Sequence, residues 1–479
     1  MPCVFFSGRI QMQELAISLN AKSRKPLYEQ IYQHIRREIQ SGRIPAGEKL
    51  PSSRRMSANL QVSRSTVDLA YEQLLSEGYI ESVPYKGYYV CSLEGLCHME
   101  FKEPEREERR QQEQEQYSYD FAVSGIDPDG FPYNLWRKIS KEVLSEEDPQ
   151  LYQLGEPQGE PGFREALADY LHYARGVNCT PEQIVVGAGS DYLLLLLHVL
   201  MDGRGRIAME NPTYCTAGHC LEAMGCEVKS VGMDESGMLV EELDKSGADV
   251  AYVMPSHQFP TGIVMPLRRR MKLLSWAAQK EGRYIIEDDY DSEFRYKGKP
   301  IPALQGFDTA GRVIYIGTFS KSVAPSIRIS YMVLPPELLE CYRKKGTLFS
   351  VTVSRVDQKI MEEFLRGGHF ERHLNRMRAV YKAKHDLLLG RLRKMERICR
   401  VSGEQAGVHL VVHFVNGMTE QEALQRAARS GIRVYGISRY RMEGQKRYEG
   451  EAVLLGYATL KLDELERAAD ALEQAWSGT

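Results

Sequence analysis

The sequence has no apolar run approaching the roughly 18 residues that a membrane-crossing helix requires, so no spanning segment is expected. Its first ten residues lack the sustained apolar core of a secretory signal. Met12 offers an alternative start that would leave the first eleven residues dispensable. The nine cysteines, an odd number, include no Cys-x-x-Cys pair, which argues against a disulfide framework and fits reduced thiols in a cytoplasmic protein. Cys215, Cys220 and Cys226 lie close in sequence without metal-ligand spacing, so no metal is expected. Neither sign of charge dominates: 62 Lys and Arg face 65 Asp and Glu, net −3. That balance is uneven along the chain. Residues 1–90 carry 12 basic and 8 acidic side chains, net +4, leaving 50 − 57 = −7 for the rest, so only the N-terminal part is a candidate for touching the phosphates of a nucleic acid. At 479 residues the chain exceeds one ordinary domain.

What is present is organised around Gly317-Thr318-Phe319-Ser320-Lys321-Ser322-Val323-Ala324-Pro325-Ser326-Ile327-Arg328. The stretch follows Val313-Ile314-Tyr315-Ile316, an apolar run that reads as a buried strand of a parallel sheet. A lysine just past a strand end, flanked by small hydroxyl residues and followed seven positions later by arginine, suits an aldehyde cofactor bearing a phosphate. Lys321 would form the Schiff base, and Thr318, Ser320 and Arg328 would hold the phosphate. A second apolar run, Ile285-Ile286-Glu287-Asp288-Asp289-Tyr290, places Asp288 321 − 288 = 33 residues earlier, about one strand-helix-strand unit. Both side chains then emerge at the carboxyl edge, where open α/β sheets bind ligands. Asp288 there can pair with a protonated pyridine nitrogen, and Tyr290 can donate to a ring oxygen. Asp289 reads equally as a helix cap or part of a solvated loop.

A third run, Ile184-Val185-Val186-Gly187-Ala188-Gly189-Ser190-Asp191, is a strand, a glycine turn and a helix start. Free amides at such a start make an anion site, to which Ser190 and Asp191 would contribute. Tyr214, after Asn211-Pro212-Thr213, is placed to stack on a flat ring. In this order, the motifs from about residue 120 onward resemble the fold-type I, aspartate-aminotransferase-like proteins that use pyridoxal phosphate. The resemblance implies a Schiff base at Lys321, a pyridinium partner at Asp288, a phenolic-oxygen contact at Tyr290, stacking by Tyr214, and phosphate contacts at Ser190, Asp191, Ser320 and Arg328. It also implies a homodimer, domain-swapped and head-to-tail, in which Tyr152 reaches the phosphate of the neighbouring subunit; the alternative is a tyrosine buried within its own subunit.

Residues 12–90 read as a separate unit. Leu27, Ile31, Ile35 and Ile39 give a first helix with one apolar stripe. Leu50-Pro51-Ser52-Ser53 opens a short second helix, and Ser63 caps a third in which Val67, Ala70, Tyr71 and Leu74 face the core. The start of the third helix carries Ser63, Arg64, Ser65 and Thr66, the positions that a recognition helix presents to a major groove of double-stranded DNA. Residues 78–82 and 88–90, joined through 84–87, read as a two-stranded wing. Pro26-Leu27-Tyr28, Gly47-Glu48-Lys49-Leu50-Pro51-Ser52-Ser53-Arg54 and Val62-Ser63-Arg64-Ser65-Thr66-Val67 resemble the winged helix of GntR-type transcription factors. That resemblance implies DNA contacts at Arg54, Arg64, Ser65, Thr66 and Gly87; Lys86 would reach a phosphate.

Between the units, residues 91–118 form a linker. Residues 103–116 contain no aliphatic side chain, so they cannot bury themselves, either as an extended tether or as a solvated helix. Residues 119–479 form the effector unit: anchors at Phe131 and Trp136, a mainly helical stretch over 337–395 with solvated or dimer-facing basic clusters at 372–384, and a small C-terminal α/β subdomain. Gly436-Ile437-Ser438-Arg439-Tyr440 occupies the region where such proteins bind a substrate carboxylate; Arg439 is the candidate and Arg433 its competitor. The two motif sets together, with Ser256-His257-Gln258-Phe259-Pro260-Thr261-Gly262, resemble the MocR subfamily of GntR regulators. Phe259 stands where aminotransferases carry an asparagine on the phenolic oxygen, with Gln258 or His257 as substitutes. The resemblance implies an α/β fold of mainly parallel sheet with helices on both faces, and a regulator that binds an amino-acid or amine effector. An active aminotransferase and a sensor of pyridoxal phosphate itself are the alternatives. Thr216 stands where many members carry a second arginine, which disfavours a ligand needing two.

Overall fold

The computed structural model describes residues 17–20, 23, 25–92, 117–145, 148–203, 205–296, 301–442 and 451–477. The alternative starts Met1 and Met12 lie outside these residues, as does most of the linker. The chain divides into two compact units, Met1–Glu113 and Gln114–Thr479.

The first unit packs three helices, α1 (Leu27–Gln40), α2 (Ser53–Leu60) and α3 (Arg64–Ser76), against a hairpin of β1 (Ile80–Val83) and β2 (Gly87–Val90). Ile31, Ile35, Ile39, Val67, Ala70, Tyr71 and Leu74 form its core with Leu50, Met56, Ile80 and Val90. Capping sets the helix starts: Ser63 accepts from the Thr66 amide, as expected, and Ser52 accepts from the Arg55 amide in the same way. The Tyr71 hydroxyl donates to the Pro51 carbonyl at 2.9 Å, tying α3 to the turn before α2.

The second unit is built on a seven-stranded sheet. In chain order its strands are β3 (Ile184–Gly187), β4 (Arg206–Glu210), β5 (Glu227–Val231), β6 (Val250–Val253), β7 (Tyr284–Asp289), β8 (Val313–Thr318) and β9 (Ser330–Val333). Across the sheet they run β3-β9-β8-β7-β6-β4-β5. All are parallel except β9, which is antiparallel to both of its neighbours. The apolar runs are continuous because both faces are covered. In β6, Val250 and Tyr252 join one core cluster while Ala251 and Val253 join the opposite one, and in β7 Ile286 and Ile285 divide the same way.

A smaller antiparallel sheet holds Cys399–Ser402, His409–Phe414, Ala452–Gly456 and Tyr435–Gly436 in that spatial order, with helices Glu420–Arg429 and Leu462–Ser477. Residues Tyr119–Asp120 pair in parallel with Ile432–Arg433, so the start of the second unit is anchored to its C-terminal end, which local patterns do not reveal. Two sequence expectations require correction. Lys384, placed in a solvated or dimer-facing basic cluster, is buried and paired with Asp127 while donating to the Ala458 carbonyl at 2.8 Å. Asp289 is neither a cap nor in a solvated loop: it is a buried residue of β7, 2.8 Å from a buried Arg175.

Candidate functional site

The reversed strand β9 explains how the large unit's site is assembled. Because β9 runs backwards, its first residue, Ser330, lies at the carboxyl edge between Thr318 of β8 and Gly187 of β3. Arg328, two residues earlier, is thereby delivered to the same edge. It adopts the left-handed φ of +53° and sits 2.9 Å from Asp191 and 3.3 Å from the Ala188 carbonyl. Gly189 (φ +108°) precedes the helix Ser190–Leu200. A Cβ on Gly189 would lie 2.1 Å from the Arg328 guanidinium, so glycine is required for that approach. The Thr318 hydroxyl is 3.0 Å from the Ser320 hydroxyl and 2.9 Å from that of Ser330. A helix start, a guanidinium and three hydroxyls thus converge as an anion cradle. Ser330 escaped sequence reasoning because its neighbours are set by strand pairing.

Lys321 follows β8 and is half-buried, its ammonium donating to the Val123 carbonyl at 2.7 Å. Burial lowers its pKa from 10.5 to about 8, with the Asp291 carboxylate pulling the other way, which raises the neutral, nucleophilic fraction near neutrality. Asp288 is buried in β7 and accepts a hydrogen bond from the Tyr252 hydroxyl. Burial raises its pKa to about 6, opposed by that hydrogen bond. A cationic ring nitrogen beside it would restore the charged form. Tyr252 was also missed; its signal is a hydroxyl inside an apolar strand, paired across from Ile286.

Tyr290 sits next to the Asp288–Asp289 pair, its hydroxyl 3.0 Å from His257 Nδ1. Of the two substitutes for the missing asparagine, Gln258 is already committed: its amide donates to the Pro212 carbonyl at 2.8 Å and its oxygen accepts from the Thr261 amide at 3.1 Å. Tyr214 lies at the start of the helix Cys215–Ala223, its ring edge-on to Phe259 at 6.3 Å. Arg439 is exposed over the Tyr435 ring at 5.9 Å, whereas Arg433 is 3.8 Å from Asp120. Tyr152 ends a short helical turn with its side chain 74 % exposed.

In the first unit Arg54, Arg64, Ser65 and Lys86 are exposed and Thr66 is half-buried. Ser63 is spent on capping, its oxygen receiving the Thr66 amide at 3.2 Å and lying 2.7 Å from the Thr66 hydroxyl. Arg64 is 3.5 Å from Asp68. At the wing tip the chain turns through Tyr85 (φ +62°) and Gly87 (φ +105°), leaving Tyr85 and Lys86 outermost.

Residues 27–90 match the family described as bacterial regulatory proteins, gntR family, and residues 127–472 match aminotransferase class I and II. The chain is 38% identical over 461 residues to an uncharacterized HTH-type transcriptional regulator, YhdI, of Bacillus subtilis (strain 168), covering 96% of this chain and 97% of that one. It is 30% identical over 467 residues to the probable rhizopine catabolism regulatory protein MocR of Rhizobium meliloti, covering 94% of each. Among solved structures, that of an archaeal alanine:glyoxylate aminotransferase matches with a TM-score of 0.68 at 26% identity, over 75% of this chain and 90% of the other. No helix among the described residues is long and apolar enough to cross a membrane.

Proposed function

The chain belongs to the MocR type of gntR-family regulators, a DNA-binding domain fused to an aminotransferase class I and II domain, and from that premise we propose a pyridoxal phosphate-dependent transcriptional regulator whose large unit senses an amino acid or amine. The observation that carries this reading is the convergence of Lys321, Asp288 and the Gly189–Arg328 cradle at one sheet edge. When bound, pyridoxal phosphate supplies an aldehyde that condenses with amines and a ring that withdraws electrons.

The chain's own residues have separable tasks. Lys321, with its lowered pKa, presents the amine that anchors the cofactor. Asp288 faces the ring nitrogen and Tyr214 covers the ring, while Thr318, Ser320, Arg328 and the amides of Ser190 and Asp191 hold the phosphate. Tyr290 faces the ring's oxygen. Arg439, whose guanidinium is exposed, takes the effector's carboxylate. Tyr152, equally exposed, serves the site of a second subunit in a head-to-tail homodimer. In the first unit, Arg54, Arg64, Ser65, Thr66, Lys86 and Gly87 meet the operator, with Ser63 holding the helix start that presents them. The domains run 12–90, 91–118 and 119–479, and the protein works in the cytoplasm.

The test is the visible absorbance of the cofactor-loaded full chain as amino acids are added singly, paired with operator binding. A lasting spectral change together with altered operator affinity is expected for one ligand class. Complete conversion to the amino form of the cofactor with release of a keto acid overturns the sensor in favour of an aminotransferase. Silence across the panel overturns the amino-acid reading in favour of a sensor of pyridoxal phosphate itself.

A further inference from the structure

Behind Tyr290 lies a buried acid-base pair that the tasks above do not use. His257 Nδ1 is 2.9 Å from each carboxylate oxygen of Asp291, and both side chains are 1 % exposed. The geometry makes Nδ1 the donor, since an ionised carboxylate only accepts. The Tyr290 hydroxyl stands 3.0 Å from the same nitrogen, and the two rings stack with centroids 5.9 Å apart.

Gly407, more than a hundred residues away in sequence, makes room for this pair: a Cβ there (φ +80°) would lie 2.0 Å from His257 Cε1 and 2.7 Å from an Asp291 oxygen. His257 Nε2 is buried without a hydrogen-bond partner. A buried polar nitrogen left unpaired costs stability, so packing alone gives no reason for a histidine here. Phe259, by contrast, offers Tyr290 only hydrocarbon, edge-on at 6.0 Å.

We propose that His257 and Asp291 are a positioning dyad for Tyr290: with its Nδ1–H turned to Asp291, His257 offers the Tyr290 hydroxyl no acceptor and so directs that hydroxyl's proton to the cofactor, while the Asp291 carboxylate disfavours the phenolate, so that Tyr290 works as a donor and never as an anion. The inference rests on the cofactor reading above. Charge supports it. Burial first, and then the carboxylates of Asp291, Asp288 and Asp289, hold the Tyr290 phenol well above its ordinary pKa. Asp291 is also the carboxylate that opposes the lowering of Lys321. The remaining titratable neighbour, His409, has its ring 5.3 Å from that of His257; burial and then the nearby His257 push its pKa down to about 3, so it stays neutral and donates to the Pro260 carbonyl at 3.0 Å. Within the dyad, Asp291 is the first of the three carboxylates whose charge acts on the hydroxyl.

The experiment is a pH titration of the visible band of the cofactor-loaded full chain, in a cycle of His257→Leu, Tyr290→Phe and the double variant. His257→Leu is expected to move the titration midpoint by about one unit, the size of shift that one neighbouring charged or hydrogen-bonding group produces. In the Tyr290→Phe background the same change is expected to move it no further, because the hydroxyl that His257 serves is gone. Equal shifts in both backgrounds, or no shift in either, overturn the dyad and leave His257 as packing. Asp291→Asn, of nearly identical shape, is read in the same cycle and guards against a His257 variant that does not fold: a lowered midpoint that depends on Tyr290 supports the proposal, an unchanged one overturns it. A wild-type chain that develops no visible band with pyridoxal phosphate removes the cofactor reading and the dyad together, whereas a normal band with an additive cycle removes the dyad alone.

Discussion

The two units place their candidate site residues on opposite sides of the folding problem. In the winged unit the core residues Ile35, Val67 and Leu74 are fully buried, while Arg54, Arg64 and Lys86 stand on the surface that packing leaves over. In the large unit Asp288, Asp289, His257 and Asp291 lie inside the core, and burial raises the Asp288 pKa to about 6 and lowers that of Lys321 to about 8. Recognition of a charged polymer needs exposed donors, whereas tuned chemistry needs a dry interior. Substitutions should therefore separate function from stability in the first unit and mix them in the second.

The sharpest break is Lys321→Ala. It should abolish the visible band of the cofactor-loaded chain completely, while operator binding through the winged unit keeps its Arg64 dependence in a mobility-shift assay. Next is Arg175→Met, which strands Asp289 as a buried unpaired charge at a cost of about 3–5 kcal/mol. All three tryptophans, Trp136, Trp276 and Trp476, lie in the large unit, so denaturant unfolding followed by their fluorescence isolates that loss.

Acidity offers a third contrast. Burial raises Asp288 to about 6 and Glu210 and Glu287 to about 7. These folded carboxyls keep protons that the unfolded chain has released, so folding takes up protons from about pH 4 to 7 and the cofactor-free large unit loses stability as pH rises through that window. In the winged unit Glu77 behaves oppositely. Burial pushes it up, but hydrogen bonds from Tyr32 and Gln73 and the nearby Arg36 outweigh this and lower it, so its contribution is present above its unfolded pKa and lost as pH falls. A tryptophan unfolding midpoint higher at pH 5 than at pH 7.5 checks the first sign.

Smaller effects sharpen the surface side. Arg64→Ala should weaken operator binding by about 1–3 kcal/mol with no change in the visible band. Ser63→Ala removes the α3 cap and should cost about 1 kcal/mol of winged-unit stability, read by circular dichroism of the full chain.

Local patterns made much of this legible. The four-residue spacing of Leu27, Ile31, Ile35 and Ile39 marks α1, and the apolar runs before Asp288 and Lys321 mark β7 and β8 with both side chains at one edge. What stayed hidden depends on partners far away in sequence. Asp289 meets Arg175 across 114 residues, Lys384 meets Asp127 across 257, and Ser330 gains its place between Thr318 and Gly187 only because β9 runs backwards. Each is a charge or hydroxyl whose burial is decided by a segment that no window of a dozen residues contains.

That reversed strand also orders events in time. β3 is the first strand of the large sheet to leave the ribosome, and among the described residues its sole neighbour in the sheet is β9, the last. From Gly187 to Ser330 is 330 − 187 = 143 residues, roughly 7–30 s of synthesis at typical elongation rates. Through that interval the β3 edge waits unpaired, while the winged helix, finished at Val90, has long had all of its partners. The winged helix of a nascent chain is complete before the large unit's anion cradle can form.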